Sequence, residues 1–336
     1  MHNFNKIVPQ VRTDLLFKFS NKENGYKIKK NTSIICNGKP YVLANSIIKI
    51  DNNLYQIATG PKSIIGTGSL GKVKYAQNLI TSKYFALKIE SFNPFSSEKK
   101  KERNERLVNQ ENKVNLDMNL SIANTKRSNT IYKNTNKNYS VMHYMGPDLK
   151  KLLDPPCKLS DNIRFDIAIK LCYEVFKLHS GLLSNKAIKY THQDIKPENI
   201  SIKNTSDVSL IDFGLTCINP DKIQEDLMGS PAYMPTIYEL TKQTITQGQK
   251  DMLALKRTLY MPHIIKCALG LKIDENNNHF NMNFILPKHS VLNKALASYV
   301  DTGGQNSNAA NSKLTPLSLA AILVLAKLGL CRIEWK

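Results

Sequence analysis

Tyr190-Thr191-His192-Gln193-Asp194-Ile195-Lys196-Pro197-Glu198-Asn199 is the stretch that decides the reading, together with Leu210-Ile211-Asp212-Phe213-Gly214, whose aspartate lies eighteen residues beyond Asp194. An aspartate can orient a hydroxyl and accept its proton, and a lysine two residues on can neutralise charge on a transferring phosphoryl group. An asparagine and a second aspartate can offer hard oxygens to Mg²⁺. Asp194 and Lys196 are the candidates for the first two roles, and Asn199 and Asp212 are the candidate metal ligands. His192 reads as a residue that holds the loop rather than as an acid or base.

Upstream stands Ile65-Gly66-Thr67-Gly68-Ser69-Leu70-Gly71-Lys72-Val73. Glycines let backbone approach phosphates with no side chain in the way. Alone the motif admits several readings. A Rossmann loop should lead into a helix, but the strand-like Val73 to Gln77 follows. A Walker A loop needs Ser or Thr after Lys72, and Val73 cannot hold Mg²⁺. A glycine-rich hairpin over ATP, with Val73 against the adenine, fits the strand. An ordinary glycine turn is the bland alternative. Phe85-Ala86-Leu87-Lys88 follows in a strand-like run, where a lysine between apolar neighbours can present its ammonium to phosphates.

With these motifs in this order, the sequence from about Ile57 to the C-terminus resembles eukaryotic-type protein kinases, and Lys196 after Asp194 is similar to the Ser/Thr rather than the Tyr branch. Val141-Met142-His143-Tyr144-Met145-Gly146-Pro147-Asp148-Leu149 resembles the hinge, with Met142 as gatekeeper and Met-Gly-Pro-x-Leu similar to casein kinase 1. Gly229 to Pro235 is similar to the segment that closes the activation loop and contacts substrate. Asp251 to Leu255 resembles the start of the buried central helix, whose Asp braces the catalytic loop.

The resemblance implies an α+β, bilobal protein kinase fold with a β-rich N-lobe and a helical C-lobe. The expected organisation is an N-terminal extension with β-hairpins over 1–56, an N-lobe over 57–145 and a C-lobe over 146–336. It implies ATP and Mg²⁺. Gly66, Gly68 and Gly71 would cover the phosphates, Lys88 would hold the α and β phosphates, and Glu111 would fix Lys88. Ile65, Thr67, Ser69, Val73, Ala86, Met142 and Met145 would complete the nucleotide site. The hairpins and the late apolar helix are also similar to eukaryotic-like kinases that intracellular bacteria inject into host cells, which implies an effector in a host cytosol.

This sequence departs from the family in several places. Gln193 stands where an Arg usually precedes the catalytic Asp, and a neutral amide cannot form the charge-assisted pair with a loop phosphate. Activity without loop phosphorylation is therefore expected. The usual A-P-E is missing, and only Pro235 and Glu239 are near. Glu111 and Glu105 compete as the partner of Lys88. Choosing Glu111 puts Asn115 four residues on, where these kinases prefer an apolar side chain. A pseudokinase scaffold that binds nucleotide or a partner is the alternative function.

The 336 residues are 41% hydrophobic and 22% charged, which excludes wholesale disorder, collagen and a coiled coil. The formal charge is +20, with 25 basic and 10 acidic residues in 1–150 against 22 and 17 in 151–336. Such a field suits anionic partners, and acidic or already phosphorylated protein substrates are expected. No aromatic-rich RNA motif or zinc finger supports a nucleic-acid reading. The longest apolar run, Leu317 to Cys331, is interrupted by Lys327 and too short to span a bilayer, so it reads as a buried helix. No basic stretch followed by an apolar core opens the chain, so no secretory signal peptide is expected. The cysteines, Cys36, Cys157, Cys172, Cys217, Cys267 and Cys331, show no C-x-x-C spacing, and ordinary thiols in a reducing, cytoplasmic compartment fit.

Residues 1–30 are polar and yield no element. Hairpins are expected around Asn37-Gly38, Asp51 to Asn53, Asn78 to Ser82 and Asn134 to Asn136, the last between Thr130–Tyr132 and Tyr139–Tyr144. A helix is expected over 98–119, with Leu107, Val114 and Met118 on one face. Another begins after the N-cap Ser160, with Ile163, Ile167, Leu171, Val175 and Leu178 on one face. Residues 251–261, 289–300 and 315–331 also suit helices, and Gly303 to Ser312 reads as a loop.

Overall fold

The first described element is a helix, α1 (Pro9–Ser20), where composition alone yielded no element. Its buried Val11, Leu15 and Phe19 recur every four residues, the spacing of one helix face. They share a core with Ile28, Ile34, Leu43, Ile47, Leu54 and Leu79. The structure is a computed structural model that describes residues 9–68, 71–91, 96–127, 137–154, 159–204, 207–224, 228–235, 244–260, 282–285, 315–327 and 332–335. The expected hairpin around Asn134 to Asn136, the helix over 289–300, the loop over 303–312, Ser69 and Glu239 lie outside the described residues. Contacts divide the chain into two compact units, Met1–Tyr144 and Met145–Lys336.

In the first unit, β1 (Lys27–Ile28) precedes the hairpin of β2 (Ser33–Cys36) and β3 (Lys39–Val42). Asn37 and Gly38 take φ of 48° and 72°, the mirror-image turn whose twist suits two-residue hairpins. The strands that follow are β4 (Ser46–Ile50), β5 (Asn53–Ile57), β6 (Ile64–Thr67), β7 (Gly71–Asn78) and β8 (Tyr84–Ser91). After α2 (Glu98–Asp117) come β9 (Ser121–Arg127) and β10 (Lys137–Met142). Eight strands form one antiparallel sheet in the order β1-β4-β5-β7-β8-β10-β9, with β6 also paired to β7.

Both faces of the central strands are largely buried, and the apolar core side chains among them recur with a period of two. Phe85, Leu87 and Ile89 of β8 join Tyr139 and Val141 of β10 in a core with Ile48, Ile50, Tyr55 and Ile57. Ala86, Lys88 and Glu90 therefore take the opposite face. On α2 the buried positions are Val108, Glu111, Val114, Asn115 and Asp117. The buried face thus includes Val108 rather than the expected Leu107, and it carries polar side chains.

The second unit begins with α3 (Leu149–Leu153), capped by the Asp148 side chain, which accepts from the Lys151 N–H. Next comes α4 (Asp161–Ser180), which Gly181 ends at φ 83°. Ser160 occupies the N-cap of α4 but makes no side-chain cap bond. Ile167, Leu171, Val175 and Leu178 are fully buried, as their spacing predicts. Two short strand pairs carry the loops of interest. β11 (Tyr190–Thr191) pairs with β14 (Cys217–Ile218), and β12 (Ile200–Ile202) pairs with β13 (Val208–Leu210). The expected helix over 251–261 begins earlier, as α5 (Gln247–Tyr260). β15 (Met282–Ile285) pairs with β16 (Arg332–Trp335). The late apolar helix is α6 (Pro316–Lys327), which packs on α4 and places Lys327 Nζ 2.5 Å from Asp166. Among the described residues no helix is long and apolar enough to cross a membrane.

Candidate active site

Strand register brings together the candidate residues of the first unit. Val73 pairs with Lys88 across β7 and β8, Ser140 pairs with Lys88 across β10, and Met142 pairs with Ala86. Partners directly opposite in register point to the same side of a sheet. Val73, Ala86, Lys88 and Met142 thus form one surface. Lys88 Nζ donates to both carboxylate oxygens of Glu111, each at 2.6 Å. Glu111 is thus the helix partner, and Glu105 lies exposed on α2.

The glycine loop is the turn between β6 and β7, closed by reciprocal backbone bonds between Gly68 and Gly71 at 2.9 and 3.3 Å. The register with β7 shifts between Ile64 and Gly66, so Ile65 lies in an irregular stretch, and Thr67 pairs with Lys72. The three glycines differ in kind. A Cβ on Gly71 would lie 2.0 Å from the Ile89 carbonyl oxygen, whereas at Gly66 and Gly68 it would meet nothing within 4 Å. Gly71 is required by the neighbouring strand. Gly66 and Gly68 leave space that a phosphate can enter.

In the second unit, Asp251 builds the loop that carries Asp194. Its carboxylate is fully buried and accepts the backbone N–H groups of His192 and Gln193, both at 2.7 Å. The His179 ring lies 2.9 Å from the same carboxylate. His192 contacts the Ile211 carbonyl through Nε2 at 3.0 Å and packs on Phe213, a structural role. Gln193 and Asp212 both sit at positive φ, 70° and 67°. For residues other than glycine this costs energy and recurs at functional sites.

Around Asp194 the polar groups converge. Lys196 Nζ donates to Asp194 Oδ2 at 2.6 Å and to Ser230 Oγ at 2.6 Å. Asn199 Nδ2 donates to the same Oδ2 at 3.0 Å, and the Ser230 backbone N–H donates to Oδ1 at 2.8 Å. Burial pushes the Asp194 carboxyl up, but Lys196, Ser230 and His192 outweigh it and hold it below the ordinary value. The group is an anion at neutral pH. Sequence reasoning assigned Gly229 to Pro235 to substrate contact and missed the bond from Ser230 to Asp194. Gly229 beside it takes φ 141°, and a Cβ there would press on the Gln193 carbonyl oxygen at 3.0 Å, so the glycine lets the segment pass close to the loop.

The β12–β13 hairpin fixes Asn199 relative to Asp212. Ile200 pairs with Leu210, and Ile211 N–H donates to the Asn199 carbonyl at 2.9 Å, one residue before Asp212. Because Nδ2 of Asn199 serves Asp194, its Oδ1 is the atom left for a cation. That oxygen and the Asp212 carboxylate are hard donors suited to Mg²⁺, which takes one or two protein ligands beside substrate phosphates and water. Among the described residues no group of three His, Cys, Asp or Glu side chains forms a dedicated metal cage. Met145 is half-buried beside Gly146, where a Cβ would lie 2.2 Å from the Ile202 carbonyl oxygen. The Gly146 carbonyl in turn accepts from the Ser201 hydroxyl at 3.0 Å.

An antiparallel sheet with one packed helix, followed by a helical unit carrying this loop constellation, defines a protein kinase architecture of the α+β class. The protein kinase domain family matches residues 60–283, and the chain belongs to that family. The match begins near the expected Ile57 and ends before the apolar helix. The chain is 27% identical over 175 residues to Mitogen-activated protein kinase mpk-1 of Caenorhabditis elegans, covering 51% of this chain and 36% of that protein. It is 30% identical over 183 residues to Serine/threonine-protein kinase Sgk1-B of Xenopus laevis, covering 51% and 37%. With Mitogen-activated protein kinase kinase 1 of Arabidopsis thaliana it shares 23% identity over 223 residues, 66% and 57% of the two chains. The matched stretch thus spans little more than a third of the first two relatives.

Proposed function

We propose that the protein transfers the γ-phosphoryl of ATP to serine or threonine hydroxyls of protein substrates. The observation that carries the proposal is the set of bonds on Asp194, in which Lys196, Asn199 and Ser230 hold the carboxylate ionised and oriented. Phosphoryl transfer asks a protein mainly for positioning and charge neutralisation. Asp194 orients the acceptor hydroxyl and takes its proton. Lys196 neutralises the phosphoryl group, and Lys88, fixed by Glu111, binds the α and β phosphates. The backbone of Gly66, Thr67, Gly68, Ser69 and Gly71 covers the phosphates, with Ile65, Val73, Ala86, Met142 and Met145 lining the nucleotide site. Asn199 and Asp212 would hold Mg²⁺, which supplies charge neutralisation at the phosphates.

The intact Lys88–Glu111 pair favours this reading over a pseudokinase scaffold. Gln193 supports activity without loop phosphorylation, because its amide is buried and donates to the Gln247 carbonyl at 3.0 Å. A preference for acidic or already phosphorylated substrates belongs to the same proposal and rests on the basic residues in 99–106 and 126–137. So does delivery into a host-cell cytosol, which a translocation reporter fused to the chain tests. The deciding experiment compares wild type with Asp194→Ala, using Mg²⁺, radiolabelled ATP and casein. Label on casein or on the chain in wild type alone is expected; equal label in both overturns the assignment. A peptide array in which basic flanks are preferred removes the acidic preference.

A further inference from the structure

Where α2 meets the sheet, the buried side chains include Glu90, Asn138 and Ser140, each no more than 2% exposed. A carboxylate and an amide in such a place must be explained, because burying them costs free energy unless they are bonded. None of the three has a part in the transfer chemistry above. Register brings them together: Asn138 pairs with Glu90 and Ser140 with Lys88 across β10 and β8, so all four side chains share one face.

The bonds among them close a ring. Lys88 Nζ lies 2.6 Å from Glu111 and 3.6 Å from Glu90 Oε1. Asn138 Nδ2 donates to Glu90 Oε2 at 2.8 Å and to Ser140 Oγ at 3.2 Å. The Ser140 hydroxyl donates to Asn112 Oδ1 at 2.8 Å. Asn112 is the chain neighbour of Glu111 on α2, which completes the circuit. The helix is thus joined to the sheet by the Lys88–Glu111 pair and by a second route through Glu90, Asn138, Ser140 and Asn112. About one turn further on, Asn115 Nδ2 reaches the Met142 sulfur at 4.0 Å.

We propose that Glu90, Asn138, Ser140 and Asn112 are positioning residues, which hold α2 and Lys88 in the paired arrangement with no partner protein or added phosphate. Glu90 restrains Lys88 from the sheet side while Glu111 restrains it from the helix side, and the Ser140–Asn112 bond keeps Glu111 in reach. A chain whose helix relied on the single ion pair would lose it whenever α2 shifted. Here a shift must break two routes together. The kinetic consequence rests on the phosphotransferase reading; the structural consequence does not.

The full chain tests this with Ser140→Ala, Asn112→Ala, the double variant and Asn112→Asp, which keeps an oxygen acceptor for Ser140. The readouts are amide hydrogen exchange over residues 108–117, the KM values for ATP and for the acceptor, and the urea unfolding midpoint. One lost hydrogen bond corresponds to about fivefold. Each Ala variant should therefore raise exchange in α2 and KM for ATP by about fivefold, leaving KM for the acceptor unchanged. The double variant should be no worse than either single, and Asn112→Asp should lie near wild type. Exchange and KM for ATP that stay at wild-type values, or a fall in the unfolding midpoint alone, would overturn the proposal. So would strictly additive effects. If wild type transfers no phosphate, the phosphotransferase reading fails, and exchange in α2 still decides whether the ring holds the helix.

Discussion

Three glycine-to-alanine changes in one turn should have opposite effects, and the contrast separates architecture from ligand binding. At Gly71 the new Cβ would lie 2.0 Å from the Ile89 carbonyl oxygen and 2.8 Å from the Glu90 Cα, both backbone atoms of β8. No side chain can rotate away, so the strands must part where Gly71 pairs with Glu90. Overpacking of this kind costs about 2 to 3 kcal/mol, which for a protein of this size lowers Tm by about 3 to 4 °C. At Gly66 and Gly68 a Cβ meets nothing within 4 Å, and neither glycine is among those with positive φ. Alanine there should leave stability unchanged or raise it by up to about 1 kcal/mol, since it restricts the unfolded chain. The same methyl occupies the space proposed for phosphate and should weaken nucleotide binding about tenfold. The rise in stability given by saturating Mg²⁺-ATP should then shrink by about 1.4 kcal/mol. Urea unfolding with and without nucleotide reads both effects. If Gly66→Ala and Gly68→Ala destabilise as much as Gly71→Ala, the space is not open. If all three keep full stabilisation by nucleotide, the turn does not approach the phosphates.

Asp251→Asn should lower stability by about 3 kcal/mol, because the buried carboxylate accepts two backbone N–H bonds and an amide presents a donor to one of them; a loss below about 1 kcal/mol in urea unfolding would show that the loop braces itself. Asp194 has a folded pKa below its unfolded value, so its ionised form contributes stability that is fully present above about pH 4 and is lost as pH falls through the folded pKa. Wild type and Asp194→Asn should therefore differ by a constant amount between pH 8 and 5 and converge below about pH 4; a difference that already shrinks between pH 7 and 6 would refute the depressed pKa.

Periodicity and motif order made much of this legible. Ile167, Leu171 and Val175 announced α4, Asn37-Gly38 announced its hairpin, and the order and spacing of the motifs around Asp194 and Asp212 announced the protein kinase family. What escaped reading depends on contacts between distant segments. The face of α1 is present in the sequence as Val11, Leu15 and Phe19, but Leu16 and Phe17 between them blur the period, and nothing local reveals the hairpin core that covers that face. The pairing of Glu111 rather than Glu105 with Lys88 depends on the rotation of α2, which Val108 and Val114 set by packing. Ser230 could be placed near substrate by its segment. Its bond to Asp194 arises from the path of the chain through Gly229, and no local pattern records that path.

Several interactions that fix the candidate site are made by amides where charges or apolar groups would also fit. Gln193 anchors the loop that carries Asp194 to Gln247, Asn138 holds Glu90, and Asn115 reaches Met142. An amide must satisfy donors and acceptor together, and here it does so incompletely: Gln193 Oε1 and Asn138 Oδ1 are buried without a hydrogen-bond partner. Each such atom costs about 1 to 3 kcal/mol, so these amides are poor choices for stability alone. Their benefit is geometric. Gln193 ties the loop at a residue held at φ 70°, and Asn138 offers both amide hydrogens to Glu90 and Ser140 at fixed angles. A leucine at 138 would remove the orphaned oxygen and could stabilise the fold, but it would leave the Glu90 carboxylate facing Lys88 without its donor. Asn138→Leu should therefore separate the two quantities, with a smaller stability loss than the loss of ATP affinity. A stability loss without loss of affinity would mean that the amide serves packing alone.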